Sequence, residues 1–294
     1  MSTFTEKWLE VVERKNSVLC AGLDPAEFNM GRGEEGLSEN ISKSQWALNY
    51  ISAIAPYCAA IKPNIQYWKG RFDMINLSDI TKTAHQYDLL VIDDSKLADI
   101  GSTNDAGIYH AQSRNMDAIT LACFAGNIKE ASLQLKKRNL GGIHMCLMSN
   151  PEYEREKNKL VQISEKEDIN YNEEDIKIFQ ENQYVKQYVQ LAVESKKYDL
   201  DGIVIGAPSK KNHIQEEEIR KVKDYIGNFM LILLPGIGAQ GGETDAIWKY
   251  FGKNNVIVNV GRDLMFPKGS QSLRKDHQER ARYYQEMLNK LRTA

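Results

Sequence analysis

Val91-Ile92-Asp93-Asp94-Ser95-Lys96-Leu97-Ala98-Asp99-Ile100-Gly101-Ser102-Thr103 carries an apolar, strand-like run from Leu89 into four charged side chains within seven residues. On a strand, residues two apart share a face, so Asp94 and Lys96 point together and Asp93 points away. Asp99 falls past the strand, and Ser102 or Thr103 fits the N-cap of the next helix. An isolated Asp-x-Lys reads most plainly as a surface salt bridge. Position argues for more, because polar groups recur at strand ends along the whole chain.

Working outward, the same grammar repeats. Phe4, Trp8, Val11 and Val12 recur at helical spacing and predict an opening helix. Residues 17–25 read as a short buried strand stopped by Pro25, which leaves Asp24 at its C-terminal end. A Gly- and Glu-rich loop spans 27–39, and Trp46, Tyr50, Ile51 and Ile54 mark a helix ending before Pro56. Residues 58–64 form the second strand, with Lys62, Pro63 and Asn64 at its end. Further strands are expected at 118–123, 142–149, 202–207, 230–234 and 256–260. Helices are expected at 78–87, 103–113, 127–138, 184–197, 215–225 and 270–288. Short, continuously apolar strands imply parallel pairing with both faces covered. Eight such βα units predict an α/β fold, a closed (β/α)₈ TIM barrel over residues 1–294 as one domain. A doubly wound open sheet is the alternative, and the lack of a Gly-x-Gly-x-x-Gly turn after the first strand favours the barrel. Residues 152–182, after the fifth strand, break the pattern as a charged insertion with little periodicity. Both a lid over the barrel mouth and a solvated surface excursion fit it.

Composition narrows the function classes. The 294 residues are 42% hydrophobic and 27% charged, ordinary for a globular protein. A net charge of −2 provides no basic field for nucleic acid or a membrane surface. Cys20, Cys58, Cys123 and Cys146 each lie in or beside an apolar run, with no Cys-x-x-Cys pair, which reads as reduced core thiols. The five histidines lack ligand spacing, so no metal is expected. No run approaches the ~20 apolar residues of a membrane span, and the N-terminus lacks an apolar signal core. A cytoplasmic protein with no nucleic-acid or membrane partner is expected.

In a barrel, functional groups cluster at the C-terminal ends of the strands. Asp24, Lys62 with Asn64, Asp94 with Lys96, Ser149, Gln240 and Gly261-Arg262 all fall at such ends. Pro235-Gly236-Ile237-Gly238-Ala239-Gln240-Gly241-Gly242 is a Gly-rich loop opening a helix, which exposes backbone N–H groups toward anions. Arg262 adds a forked cation matched to phosphate. A phosphorylated substrate is expected.

Taken in order, these blocks resemble the orotidine 5′-phosphate decarboxylase family, in its longer stand-alone subfamily. The matching blocks are Leu23-Asp24-Pro25, Lys62-Pro63-Asn64, Asp94-x-Lys96-x-x-Asp99-Ile100-Gly101-Ser102-Thr103, Ser149-Asn150-Pro151-Glu152, the Pro235–Gly242 loop and Gly261-Arg262. Two departures are visible: Leu97-Ala98 where relatives often carry Arg-Gly, and Met148 where many carry Thr. The resemblance implies decarboxylation of orotidine 5′-monophosphate to uridine 5′-monophosphate, in pyrimidine biosynthesis, with neither metal nor organic cofactor. It implies a charge array of Lys62, Asp94, Lys96 and Asp99, with Asp94 against the substrate carboxylate and Lys96 as the C6 proton donor. Asp24 and Asn64 would bind ribose, Ser149 the pyrimidine edge, and Gln240, Gly261 and Arg262 the phosphate. Asp99 and Thr103 would reach into a neighbouring subunit's site, making the enzyme an obligate homodimer.

Rivals remain on the same scaffold. A Mg²⁺-dependent sugar-phosphate decarboxylase or synthase would need an acidic ligand at the end of the second strand, where this chain has Lys62. A non-catalytic phosphate-ligand binder would be expected to have lost part of the charge array. A Schiff-base aldolase wants a lysine of lowered pKa, which flanking carboxylates oppose.

Overall fold

A computed structural model describes residues 2–163, 170–210, 212–237 and 245–293. In chain order the first strands are β1 (Leu19–Leu23), β2 (Ala60–Pro63), β3 (Leu90–Leu97), β4 (Ala118–Leu121) and β5 (Gly141–Leu147). An insertion carries β6 (Leu160–Gln162), β7 (Lys177–Phe179) and β8 (Asn182–Lys186), and β9 (Gly202–Ile205), β10 (Leu231–Pro235) and β11 (Val256–Val260) follow. Among the described residues, β1 to β5 and β9 to β11 close into an eight-stranded barrel, each strand parallel to its neighbours and β11 pairing back onto β1. The helices are α1 (Phe4–Lys15), α2 (Lys43–Ile54), α3 (Asp73–Gln86), α4 (Gly101–Ser113), α5 (Ile128–Arg138), α6 (Tyr153–Lys157), α7 (Gln187–Lys197), α8 (Glu216–Ile226), α9 (Asp245–Tyr250), α10 (Arg262–Met265) and α11 (Arg274–Thr293). The barrel is therefore the expected one, and every predicted barrel strand is present within a few residues.

The continuous apolar runs explain it. Every residue of β1 and β11 is buried, as parallel strands wrapped by helices require. α1 begins with a capping box between Thr3 and Glu6 and lays Phe4, Trp8, Val11 and Val12 on the core, the face its spacing predicts. Trp8 is fully buried and donates its indole N–H to the Asn254 carbonyl at 2.8 Å. Trp46 and Tyr50 of α2 stack at 5.1 Å, and His277 of α11 packs edge-on against Tyr50 at 5.2 Å.

Three local expectations are corrected. Residues 152–182 are not structureless: α6 and a three-stranded antiparallel sheet, in the order β6-β8-β7, occupy much of the described part. Residues 184–186, expected as the start of a helix, instead pair with β6, and the helix begins only at Gln187. The hairpin turn between β7 and β8 places both Gln180 and Glu181 at positive φ (47° and 66°). Such turns normally carry Asn or Gly, so nothing in these two residue types marks a turn there. The third correction concerns α4. It starts at Gly101, which takes φ 55°, with Ile100 as its N-cap and no side-chain cap bond. Ser102 and Thr103 thus lie exposed inside the first turn instead of capping it.

β1 and β11 meet so closely at the rim that a Cβ on Gly22 would lie 2.8 Å from the Gly261 Cα and 3.3 Å from the Val260 carbonyl oxygen. Backbone cannot yield as a flexible side chain can, so Gly22→Ala is expected to destabilise the fold by about 1–3 kcal/mol. The check is a lower urea midpoint with an unchanged m-value. An unchanged midpoint would mean that the β1–β11 seam relaxes freely.

Candidate active site

The ends of β2 and β3 build the centre of the rim. Lys62 is the third residue of β2 and Asp94 the fifth of β3; both are buried. The Lys62 ammonium donates to Asp94 Oδ2. The Lys96 ammonium donates to Asp94 Oδ1 at 2.6 Å, while the rest of its side chain is nearly half exposed to the barrel mouth. One buried carboxylate is thus held between two lysines. The shared face expected for Asp94 and Lys96 is present, but by an irregular route. The β3–β4 register shifts between Asp93 and Leu97, and Lys96 takes φ 50°. A positive φ on a residue with a side chain is uncommon and is held only where surrounding contacts over-determine it.

The charges reinforce one another. Burial works against the Asp94 anion, but Lys62 and Lys96 overcome it and hold the carboxyl well below the usual carboxylate range. Burial likewise opposes the Lys62 cation, and Asp94 and Asp24 reverse this and push its pKa up. At neutral pH Asp94 is therefore a carboxylate and Lys62 an ammonium. Asp24, just past β1, has its pKa raised by burial, which Lys62 partly offsets. Its Oδ1 accepts the Asn64 backbone N–H at 3.3 Å, tying the β1 and β2 ends together. The Asn64 side chain accepts from the Gln66 N–H at 3.1 Å.

The remaining expected residues spread around this centre. Ser149 follows β5 and lies against Gly206, where a Cβ would stand 2.7 Å from the Ser149 Cβ. Gly261 precedes α10, and Arg262 opens it, its guanidinium 2.6 Å from the Glu35 carboxylate. Asp99 and Thr103 are exposed. Among the described residues, Asp99 Oδ1 accepts from the Ile100 N–H at 2.9 Å and its carbonyl accepts from the Asn127 side chain at 2.9 Å. It does not join the trio within its own chain. Gln240 lies outside the described residues.

One residue at the centre was not singled out from sequence. Thr120, the third residue of β4, is buried, and its hydroxyl lies 3.1 Å from Asp94 Oδ1 and 2.9 Å from the Lys96 backbone nitrogen. Its only signal was a hydroxyl in an apolar run, which β-strands tolerate routinely.

The model of the orotidine 5′-phosphate decarboxylase / HUMPS family matches residues 17–275. The chain belongs to that family. An orotidine 5′-phosphate decarboxylase of Bordetella petrii is 26% identical over 302 residues, covering 99% of this chain and 100% of the relative. One from Halorubrum lacusprofundi is 28% identical over 285 residues, covering 93% of this chain and 91% of the relative. Among solved structures, Leishmania donovani OMP decarboxylase superposes with a TM-score of 0.73 at 19% identity, covering 100% of both chains. The Methanocaldococcus jannaschii orotidine 5′-monophosphate decarboxylase, solved with the inhibitor BMP, gives 0.64 at 23% identity, covering 92% of this chain and 98% of that one. At these identities the structural likeness establishes the shared barrel, and membership of the decarboxylase family rests on the sequence match.

Asp93, beside the trio but facing the helix layer, contrasts with Asp94. It is buried, its Oδ1 has no hydrogen-bond partner, and Arg114 approaches its Oδ2 only to 4.0 Å. Burial pushes its pKa up to about 6, with Ser95 and Arg114 offsetting part of the shift. A carboxyl whose folded pKa is raised stabilises the fold below its unfolded value near 4, and that contribution is lost as pH rises through about 6. Between pH 4 and pH 7 the wild type is therefore expected to lose on the order of 2–3 kcal/mol more stability than Asp93→Asn. Urea unfolding of both proteins across that range measures it. Parallel pH profiles would remove Asp93 as the source.

Proposed function

We propose that this protein is a carboxy-lyase that converts orotidine 5′-monophosphate to uridine 5′-monophosphate and CO₂, a step of pyrimidine biosynthesis. The observation that carries the reading is the buried Asp94 carboxylate held between the Lys62 and Lys96 ammonium groups at the barrel rim, in a chain of the decarboxylase family. In this reaction the bond between C6 and the carboxylate breaks, CO₂ departs, and the electron pair stays on C6 with no adjacent π system to absorb it. Catalysis by the protein alone must then come chiefly from charges fixed in advance where negative charge develops.

Each residue has a role consistent with its place. Lys96, reaching from the partly exposed mouth, stabilises the C6 carbanion and transfers its proton to that carbon. The resulting neutral amine is reprotonated from solvent. Asp94 lies against the substrate carboxylate, disfavouring it in the ground state, and keeps Lys62 charged. Lys62 holds Asp94 in position. Asp24 and Asn64 take the ribose, Ser149 the pyrimidine edge, and Gln240, Gly261 and Arg262 the phosphate. The Glu35 carboxylate against Arg262 is an anionic partner that substrate phosphate would replace. A Mg²⁺-dependent chemistry is disfavoured because the buried Lys62 cation sits at the β2 end, where a metal would need an acidic ligand.

Asp99 and Thr103 are assigned to the neighbouring subunit's site in a homodimer. Asp99 is exposed beyond β3, where the chain turns toward α4, and is better placed to cross a two-fold axis than to fold back. The insertion leaves the barrel after β5, at the rim, and a lid there is one reading that this departure point supports. No described helix is long and apolar enough to cross a membrane, and a biosynthetic enzyme of this kind fits the cytoplasm.

The direct test is loss of orotidine 5′-monophosphate absorbance on mixing with purified protein in excess EDTA. Turnover that persists supports the assignment. Activity abolished by chelation and restored by Mg²⁺ would move the protein to the metal-dependent branch.

Arg262→Ala is expected to raise KM at least tenfold and also to lower kcat, because binding energy from the remote phosphate is used at the reacting carbon. Steady-state kinetics decide this, and unchanged constants would remove Arg262 from the phosphate site. Inactive Lys96→Ala mixed with inactive Asp99→Ala should regain activity, since one site of each heterodimer carries neither defect. Random exchange makes about half the dimers mixed and restores about a quarter of the sites. Exchange demonstrated without regained activity would confine Asp99 to its own subunit.

A further inference from the structure

We propose that Thr120 is the positioning residue of the charge array, a hydroxyl that fixes both the Asp94 carboxylate and the Lys96 backbone at once. The inference rests on the decarboxylase reading and extends it to a strand that carries none of the residues assigned above. A threonine hydroxyl has one proton to give and two lone pairs to accept with. The Lys96 backbone N–H donates to the Thr120 oxygen at 2.9 Å. That uses an acceptor site and leaves the proton free for the carboxylate, 3.1 Å away at Asp94 Oδ1. The Asp93 carbonyl, at 3.4 Å, is the longer alternative. Asp94 is held ionised by its two lysines, so the bond to it is charge-assisted and is the stronger choice.

The geometry gives this hydroxyl two tasks. Asp94 Oδ1 receives one bond from the flexible Lys96 side chain and one from the rigid strand β4. Only the second fixes the carboxylate against the barrel wall on that side. Lys96 sits at φ 50° just where the β3–β4 register slips, so the ladder between Asp93 and Leu97 does not determine its backbone. The Thr120 oxygen supplies the missing restraint at the Lys96 nitrogen. Remove it, and both the carboxylate and the root of the proton donor gain freedom while the phosphate and ribose contacts remain. Misplacement of reacting groups on the ångström scale is costly to turnover.

The test compares Thr120→Val, which keeps the shape and loses the hydroxyl, with Thr120→Ser, which keeps the hydroxyl and loses the methyl. The expected result is a kcat reduced at least tenfold in Thr120→Val with KM within about twofold of wild type. Thr120→Ser should keep kcat within about threefold, even if its melting temperature falls through the lost methyl. Should Thr120→Val not fold, Thr120→Ala against Thr120→Ser makes the same comparison. The proposal is overturned if the hydroxyl-free variant turns over within tenfold of wild type, if its loss lies in KM, or if serine is as impaired as valine. Wild type and Lys96→Ala run alongside separate this failure from that of the parent reading: an inactive wild type, or an active Lys96→Ala, indicts the decarboxylase assignment instead.

Discussion

A carboxylate buried between two ammonium groups is the constraint on which the rest of the rim depends. Asp94 alone at that depth would be neutralised by protonation, and Lys62 alone would lose its proton. Together they stay ionised, and the surrounding barrel keeps water from relaxing the pair. The cost is a trio with unequal charges in a low-dielectric setting, tolerable because Asp24 contributes a further negative charge beside Lys62. The barrel wall behind them is apolar and closely packed, so the charges cannot separate without disturbing β2 and β3. Function at the rim and packing in the wall are one structural problem.

Much of this was legible in the sequence. Continuous apolar runs ending in charged residues, Pro or Gly identify parallel strands because such strands are covered on both faces and change character abruptly at the rim. The period of two placed Asp94 and Lys96 on one face, and the structure joins them. What escaped was whatever depended on conformations that residue type does not announce. Lys96 reaches Asp94 through a left-handed backbone that nothing about lysine predicts. Gln180 and Glu181 make a hairpin turn without Asn or Gly, so the insertion read as irregular. Thr120 looked like any strand threonine, since hydrogen bonding between neighbouring strands' side chains leaves no periodic trace. Ser102 and Thr103 look like N-caps, yet Gly101 turns the chain before them.

The insertion is fastened more firmly than its composition suggested. Lys157 of α6 is buried and donates to Glu218 of α8 at 2.7 Å and to the His213 carbonyl at 2.6 Å. Tyr153 donates its hydroxyl to the Cys146 carbonyl at 2.5 Å, and Tyr225 of α8 donates to Asp175 at 2.8 Å. These ties connect both flanks of the insertion to β5 and α8, so the segment leaving Ser149 is braced from two elements.

That bracing has a topological counterpart. β5 pairs directly with β9, so the small sheet of β6, β7 and β8 is spliced into the chain without occupying any place in the closed ladder. The barrel's shear and circumference are therefore independent of how many residues the excursion contains. Since the entropy of closing a loop grows only with the logarithm of its length, doubling this one would cost about 0.6 kcal/mol. The site where the chain leaves the barrel is thus a natural port for lengthening, trimming or grafting. What such surgery must respect is the handful of buried fastenings at its margins, not the cylinder itself.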